Sequence, residues 1–232
     1  MGRMKISVLI PAYNEARTIK RCLEAVYTRN LERDLELIVV DDGSKDGTYE
    51  AAIAAIKPGS RVIKHENNSG KGSAIRTALA AATGEVVLIQ DADLEYDPAD
   101  YAALLKPIED GKAEVVYGSR KRGNENGRSY SRYYWGGQLL SWWTNFLYGS
   151  SITDEATCYK VFKTSLLRAL DLHCRGFEFC PEATAKVLRR GVAIVEVPIS
   201  YTPRSIQEGK KIRWTDGAVH LWVLLKLRFG RV

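Results

Sequence analysis

The chain has 232 residues, 45% of them apolar and 27% charged, so it can bury the core of one sizeable domain. Its net charge of +6 indicates an anionic partner, which leaves nucleic acid, a phosphorylated substrate and a membrane surface open. Four cysteines without metal-site spacing, no signal-like amino-terminal segment and no run of about 18 apolar residues favour a cytoplasmic protein without a transmembrane helix.

Short apolar runs that end in polar turns alternate with helical patterns through the first half of the chain. Strands are predicted at 5–10, 35–40, 61–64, 86–89 and 113–119. The helical patterns between them predict right-handed βαβ units, and therefore an α/β protein with a Rossmann-like, mostly parallel sheet flanked by helices. The motif G-x-G-x-x-G is absent after the first strand, which disfavours a dinucleotide cofactor.

The fourth predicted strand, 86–89, runs into Asp91 and Asp93. Open α/β sheets bind their ligands at the carboxyl ends of their strands, and strand alternation places residues i and i+2 on the same side. The two carboxylates can therefore share one Mg²⁺ or Mn²⁺ ion, whose remaining positions suit substrate phosphates. The alternative is a polar turn without a metal, because a single Asp-x-Asp motif has a high false-positive rate.

Two further acids follow strands, Glu15 after the first and Asp42 after the second. Carboxylates accept hydrogen bonds from ribose hydroxyls and base edges, so both are candidate nucleoside contacts, with helix capping as the alternative. Lys71 lies in a Gly-Lys-Gly loop before a predicted helix, where it can contact a phosphate at the helix amino terminus. The loop lacks the spacing of a P-loop, so a solvated loop lysine is the alternative.

A basic segment rich in Gly and Asn, 120–132, opens the second half and is predicted to be a loop. The helix predicted at 133–148 has an aromatic face, which comprises Trp135, Leu139, Trp142, Trp143 and Phe146. Such a face indicates either a core helix or, next to arginines, a helix that lies in a membrane interface.

A helix is predicted from 178 to 190 and a strand at 193–201. The basic, Gly-containing segment 201–212 has the composition of a flexible lid over an anionic ligand, with a solvated loop as the alternative. Residues 216–229 are amphipathic and predict a carboxyl-terminal helix that docks on the fold or on a membrane surface.

The chain carries six short motifs. They are Val-Leu-Ile-Pro-Ala-Tyr-Asn-Glu at 8–15, Val-Asp-Asp-Gly-Ser at 40–44, Gly-Lys-Gly at 70–72, Asp-Ala-Asp at 91–93, Gly-Ser-Arg at 118–120 and Glu-Val-Pro-Ile-Ser-Tyr at 196–201. The first five, in this order, resemble family 2 glycosyltransferases of the GT-A fold, and the last is similar to the dolichyl-phosphate mannose synthase branch. The resemblance covers nearly the whole chain and implies a single GT-A domain. Within it, 1–119 would bind the nucleotide sugar, 120–212 would form the acceptor half and lid, and 213–232 the amphipathic helix.

The resemblance implies roles for the residues that match family motifs. Nucleotide-sugar contacts are expected from Pro11, Tyr13, Glu15, Val40, Asp42, Lys71, Asp91, Ala92, Asp93, Arg120, Arg204 and Lys210. Among these, the Asp-Ala-Asp motif would hold the diphosphate and the metal, and the basic residues would bind donor phosphates or the sugar. Arg132 would meet the acceptor phosphate, so Asp93, Arg120 and Arg132 are the expected catalytic residues. Glu95 stands where the synthases have Gln, which adds a third candidate metal ligand to Asp91 and Asp93.

The activity implied by the resemblance is an inverting, metal-dependent transfer of a hexose from a nucleotide sugar to a polyprenyl or dolichyl phosphate. GDP-mannose is the favoured donor, and UDP-glucose is the alternative. An anionic acceptor hardly needs a general base, which fits the position of His65, His173 and His220 outside the motifs. Mg²⁺ or Mn²⁺ is the expected cofactor, peripheral contact with the cytoplasmic face of a membrane is expected, and nucleic acid is not an expected partner.

Two other functions are alternatives. The first is a transferase of the same fold that acts on a saccharide or protein hydroxyl, for which Glu182 is the candidate base, although Glu182 and Lys186 have the i,i+4 spacing of a surface ion pair. The second is a basic nucleic-acid-binding module in which the acidic turns are only structural. A nucleotidyltransferase is disfavoured, because the glycine-rich loop that it needs after the first strand is missing.

Overall fold

Seven strands within the described residues form one sheet at the centre of the molecule. The computed structural model describes residues 4–29, 32–122, 131–204 and 214–230, and at 131–134 and 214 only the backbone. The strands are β1 (Ile6–Ala12), β2 (Leu35–Asp41), β3 (Arg61–Lys64), β4 (Val86–Ile89), β5 (Val115–Ser119), β6 (Lys160–Lys163) and β7 (Ile194–Pro198). Their order across the sheet is β3-β2-β1-β4-β6-β5-β7.

Most of the strand pairs are parallel, as the sequence predicts. β1 pairs in parallel with β2 and β4, β2 with β3, and β5 with β7. β6 runs antiparallel between β4 and β5, so the fourth and fifth predicted strands are not neighbours. Hydrophobic periodicity identifies a strand but not its partner, which is why the sequence pattern did not reveal this insertion.

Helices cover both faces of the sheet. They are α1 (Ile19–Arg29), α2 (Thr48–Ala55), α3 (Lys71–Ala81), α4 (Tyr101–Glu109), α5 (Ser131–Tyr148), α6 (Thr164–Ala169), α7 (Phe179–Arg189) and α8 (Trp214–Phe229). Buried residues of α1, α2 and α4, such as Leu23 and Leu104, form a core on one face. Those of α3, α6 and α7, such as Ile75 and Phe179, form a core on the other. The short helix α6 was not predicted.

α5 and α8 pack against each other and against α7. Leu147, Ala185 and Leu224 form a small core between the three helices. The indole N–H of Trp143 donates to the backbone carbonyl of Leu221 at 3.3 Å, and the hydroxyl of Tyr148 donates to the backbone carbonyl of Leu224 at 2.7 Å. Among the described residues, no helix is both long enough and apolar enough to span a membrane.

Candidate active site

The ends of β1, β2 and β4 bring the acidic turns together at one edge of the sheet. β1 is the central strand of the three and pairs in parallel with the other two, so their carboxyl ends point the same way. β4 ends at Ile89, before Asp91, so a turn and not strand alternation places Asp91 and Asp93. The charge of Asp91 contributes to the raised pKa of Asp93, which indicates that the two acids nevertheless lie close together.

Asp91 forms a buried ion pair with Lys71, the first residue of α3. Their nearest atoms, Nζ and Oδ1, are 2.6 Å apart, and the ammonium also lies 3.1 Å from the sulfur of Cys158. Burial by itself would raise the pKa of Asp91, but the charge of Lys71, hydrogen bonds from Cys158 and Lys71, and the charge of Arg204 together outweigh it, and the pKa lies below its ordinary value. Asp91 is therefore ionised at neutral pH, with a cation already beside it.

Asp93 is bridged to Glu15 by the guanidinium of Arg204. Nη2 of Arg204 lies 3.0 Å from a carboxylate oxygen of each acid, and Nη1 donates to the second oxygen of Glu15 at 3.1 Å. Burial and the negative charges of Asp91 and Glu95 raise the pKa of Asp93 to about 7, although Arg204 opposes them. The site therefore concentrates more negative charge than its own cations neutralise.

The carboxylate of Glu95 bonds to the segment that follows β7. One oxygen accepts from the hydroxyl of Tyr201 and the other from the backbone N–H of Arg204, each at 2.8 Å. Leu94 has a left-handed backbone with φ of 64°, which ends any strand-like alternation between Asp93 and Glu95. In the described ranges, no three His, Cys, Asp or Glu side chains are grouped to hold a metal ion, so the expected three-carboxylate site is not assembled.

A divalent ion bound by two carboxylates still fits this chemistry. Carboxylate oxygens are the ligands that Mg²⁺ and Mn²⁺ prefer, and such ions are commonly held by one or two carboxylates together with substrate phosphates. The raised pKa of Asp93 reflects first its burial and then the negative charges of Asp91 and Glu95, both of which a bound cation would offset. Asp91 and Asp93 are the residues that would hold it.

Asp42 is buried and organises the loop that leads to Lys71. Its carboxylate accepts from the backbone N–H groups of Ser69 at 3.0 Å and Gly70 at 2.7 Å. The ring of His65 lies 2.7 Å from the same carboxylate and 2.9 Å from the hydroxyl of Thr77. Asp42 thus bonds to the N–H of Gly70, the residue before α3, which is close to the helix-capping alternative. Sequence reasoning missed His65 because no motif contains it.

Arg120, at the end of β5, pairs with a partner that the motifs did not single out. Its guanidinium donates two hydrogen bonds to Asp154, each 2.7 Å long, and lies 5.0 Å from the ring centroid of Tyr201. Burial would raise the pKa of Asp154, but the charge of Arg120 and the hydrogen bonds that Arg120 donates together outweigh it and lower the pKa. Asp154 thus fixes the orientation of Arg120 beside Tyr201.

The other expected site residues are placed differently. Pro11, within β1, and Tyr13, just after it, are partly exposed, whereas Val40 and Ala92 are buried with their side chains in the two cores. Arg132 lies in the first turn of α5, where only the backbone is described, and Lys210 lies outside the described residues together with most of the expected lid.

Glu182 and Lys186 do not form the surface pair that their spacing predicts. Both are buried on α7, with 2.8 Å between their charged atoms. The Glu182 carboxylate also accepts from the backbone N–H groups of His173 and Cys174 at 2.9 and 2.7 Å. These contacts give Glu182 a structural role in joining α7 to the segment before it.

Four of the five residues of the predicted face of α5 are exposed, namely Trp135, Leu139, Trp142 and Phe146, so the core-helix alternative is wrong for them. Trp143 is half-buried and packs against α8. The buried residues of α5 are on its other side, for example Leu140 and Leu147. We define the aromatic face as the exposed apolar residues of α5 and α8: Trp135, Leu139, Trp142, Phe146, Val219, Trp222 and Phe229. On α8, the predicted apolar side is thus partly exposed, and Leu224 and His220 are the buried residues.

The comparison with known proteins agrees with this geometry. Residues 7–171 match the family model described as Glycosyl transferase family 2. A UDP-N-acetylglucosamine–dolichyl-phosphate N-acetylglucosaminyltransferase of Methanococcus voltae is 31% identical, over 100% of this chain and 99% of its own. An undecaprenyl-phosphate mannosyltransferase of Micrococcus luteus is 29% identical, over 98% of this chain and 100% of its own.

A solved structure shares the fold. Glucosyl-3-phosphoglycerate synthase of Mycobacterium tuberculosis, crystallised with Mn²⁺, UDP and phosphoglyceric acid, superposes with a TM-score of 0.71 over 99% of this chain and 80% of that one. At 23% identity this likeness establishes the architecture alone, which is that of GT-A glycosyltransferases. The family match covers more than half of the chain, and the protein is therefore a glycosyltransferase of family 2.

Proposed function

We propose that this enzyme transfers a hexose from a nucleotide sugar to a polyprenyl phosphate, with inversion at the anomeric carbon. The observation that carries the proposal is the pairing of Asp91 with Lys71 and of Asp93 with Arg204 beyond the carboxyl end of β4. The two relatives named above act, by their names, on dolichyl and undecaprenyl phosphate. GDP-mannose is the donor that we favour, and UDP-glucose is the alternative.

In this proposal the donor diphosphate binds beside Asp91 and Asp93 and contacts Lys71 and Arg204. Asp91 and Asp93 would hold a Mg²⁺ or Mn²⁺ ion, which would offset the charge that develops on the leaving nucleoside diphosphate. Lys71 and Arg204 add positive charge from two sides, and both are held nearby before any ligand binds. Such preorganised charge stabilises a leaving group without reorganisation during the reaction.

The acceptor requires little activation by the protein. A phosphate monoester carries negative charge at neutral pH, so its oxygen can attack the anomeric carbon without a general base. Arg132 is the arginine that we assign to the acceptor phosphate, and Arg120, oriented by Asp154, is assigned to the donor phosphates or the sugar. A hydroxyl acceptor needs a base, and the candidate for that role, Glu182, has its carboxylate bonded to backbone N–H groups and Lys186.

The aromatic face is the surface that we assign to the membrane in which the lipid acceptor lies. Trp142 and Phe146 stack at 5.8 Å between ring centroids and are more than half exposed, as is Trp222 on α8. Lys226 and Arg228 are exposed near the end of α8, with Arg228 beside Phe229. Aromatic side chains with adjacent cations are typical of helices that lie in the interface of an anionic bilayer.

Calorimetry and thermal unfolding with GDP-mannose and UDP-glucose, each with and without Mn²⁺, test the donor. A donor at ~100 times its dissociation constant stabilises the native state by about 2.7 kcal/mol, and we expect this gain to require the metal. A lipid-linked product from polyprenyl phosphate, with inverted anomeric configuration by NMR, is expected. Transfer to neutral saccharides but not to polyprenyl phosphate would contradict the proposal.

A further inference from the structure

A short segment that follows β7 lies along the turn after the Asp-Ala-Asp motif. We call Ser200–Arg204, which follows β7, the strap. Tyr201 forms an antiparallel bridge with Tyr96, and the N–H of Thr202 donates to the backbone carbonyl of Glu95 at 2.9 Å. The N–H of Ser200 donates to the carboxylate of Asp100 at 2.7 Å. The strap is therefore fastened along its length to the turn that follows the Asp-Ala-Asp motif.

The side chain of Glu95 links this turn to Tyr201 and to Arg204 of the strap. Its two carboxylate oxygens accept from the hydroxyl of Tyr201 and from the N–H of Arg204, 106 and 109 residues away in sequence. Each oxygen of Glu95 has one donor from the strap, at 2.8 Å. Both oxygens therefore bond to the strap.

The strap delivers two groups to the site. The guanidinium of Arg204 reaches Glu15 and Asp93, and the ring of Tyr201 lies beside the guanidinium of Arg120. Nε of Arg204 is buried and has no acceptor among the described residues. Buried N–H groups are nearly always hydrogen-bonded, so this one is suited to an anionic oxygen of a bound ligand.

We propose that Glu95 is a positioning residue, which anchors the strap and so holds Arg204 where the donor diphosphate binds. The inference rests on the proposed function for the identity of the donor. It differs from the expectation drawn from the sequence, in which Glu95 was a third metal ligand. Gln can replace Glu in this role, because its oxygen accepts from the Arg204 N–H and its amide nitrogen donates to the Tyr201 hydroxyl.

The first test needs no ligand. Amide hydrogen exchange is measured for wild type, Glu95→Ala, Glu95→Gln and Tyr201→Phe, with thermal unfolding to verify that each variant is folded. We expect the Arg204 amide to exchange at least about tenfold faster in Glu95→Ala and to stay close to wild type in Glu95→Gln. Wild-type protection of this amide in folded Glu95→Ala would overturn the anchoring role, whether or not the enzyme uses the proposed donor.

The second test separates anchoring from metal binding. Mn²⁺ affinity is titrated by electron paramagnetic resonance, and nucleoside diphosphate affinity is measured by calorimetry at saturating Mn²⁺. For Glu95→Ala and Tyr201→Phe we expect about tenfold weaker diphosphate binding, no further loss in the double variant, and Mn²⁺ affinity within about twofold of wild type. Tenfold weaker Mn²⁺ binding in both Glu95 variants, with Tyr201→Phe normal, would instead make Glu95 a ligand. If wild type binds no nucleoside diphosphate, the proposed function fails, and the exchange measurement alone decides the role of Glu95.

Discussion

The ammonium of Lys71 lies 2.6 Å from Oδ1 of Asp91, and both side chains are about 15% exposed or less. One residue opens α3 and the other follows β4, so the pair joins two motifs that are separate in the sequence. Lys71 is therefore a built-in counter-charge for the acid that we assign to the metal. A divalent ion bound by Asp91 would share that carboxylate with Lys71, so loss of Lys71 would leave a buried carboxylate less well compensated.

Replacing Lys71 by Met is expected to destabilise the metal-free protein by about 3 kcal/mol, because it leaves Asp91 buried without its cation. Mn²⁺ supplies the missing charge, so it should stabilise Lys71→Met more than it stabilises wild type. Urea unfolding with EDTA and with saturating Mn²⁺ measures both effects. Lys20→Met, at an exposed position on α1, is the matched control and should lose less than about 0.5 kcal/mol. Equal Mn²⁺ stabilisation of variant and wild type would contradict the shared site.

Asp93→Asn is expected to lower kcat/KM by about 100-fold or more while the fold is retained, because one metal ligand is lost. Its pH dependence has a defined sign. The pKa of Asp93 rises from an ordinary value of 3.8 to about 7 in the native state, so ionisation of this acid lowers stability as pH increases through that interval.

Without metal, Asp93→Asn should therefore be at least as stable as wild type at pH 8 and should lose that advantage at pH 4. Unfolding at the two pH values, with EDTA present, measures the change. Asp110→Asn, on an exposed turn, controls for the loss of any carboxylate. Wild-type transfer by Asp93→Asn would remove the metal assignment.

Glu182→Gln is expected to act on stability and not on chemistry. It leaves Lys186 buried without its partner, which costs about 3 kcal/mol at pH 7. Burial would raise the pKa of Glu182, but hydrogen bonds from Lys186 and from the backbone of His173 and Cys174 lower it overall. The stabilising contribution of Glu182 is therefore present above its ordinary pKa of 4.5 and is lost as the pH falls through the lower native value.

The difference from wild type should accordingly shrink between pH 7 and pH 3.5, as measured by denaturant unfolding. Turnover per folded molecule should stay within about threefold of wild type. Glu24→Gln, at an exposed position of α1, controls for surface charge. Abolished turnover with unchanged stability would revive an acceptor hydroxyl activated by Glu182.

Replacing Trp142 and Trp222 together by Ser is expected to weaken binding to vesicles of anionic phospholipid at least tenfold. Burial of one such side chain is worth about 1.5–3 kcal/mol, and a tenfold change corresponds to 1.4 kcal/mol. Co-sedimentation with the vesicles measures the effect, and activity on a short-chain, water-soluble polyprenyl phosphate should change less than twofold. Ile53→Ser, at an exposed position of α2, is the control, because it removes an exposed apolar side chain outside the aromatic face. Unchanged vesicle binding in the Trp variant would exclude the aromatic face as the membrane contact.

The strands and helices of the sheet were predictable from sequence because their signals are local. A run such as Val86–Ile89 is apolar at every position, and the strand occupies those four residues. The motifs also located the acids and bases of the site in the correct turns, since each follows a strand in the chain. The sequence periodicity of α5 was equally clear, but its interpretation was not, because an aromatic face has the same spacing in a core as on a surface.

The partners of these residues were decided by the tertiary structure. Asp154 beside Arg120, His65 beside Asp42 and the strap beside Glu95 are contacts between distant parts of the chain. The antiparallel β6 between β4 and β5 is another. By itself the sequence determined the element types and the chemistry available at the strand ends, because these depend on neighbours in the chain. Which carboxylate faces the ion and which anchors the strap depends on contacts across more than 100 residues, and those exist only in the packed fold.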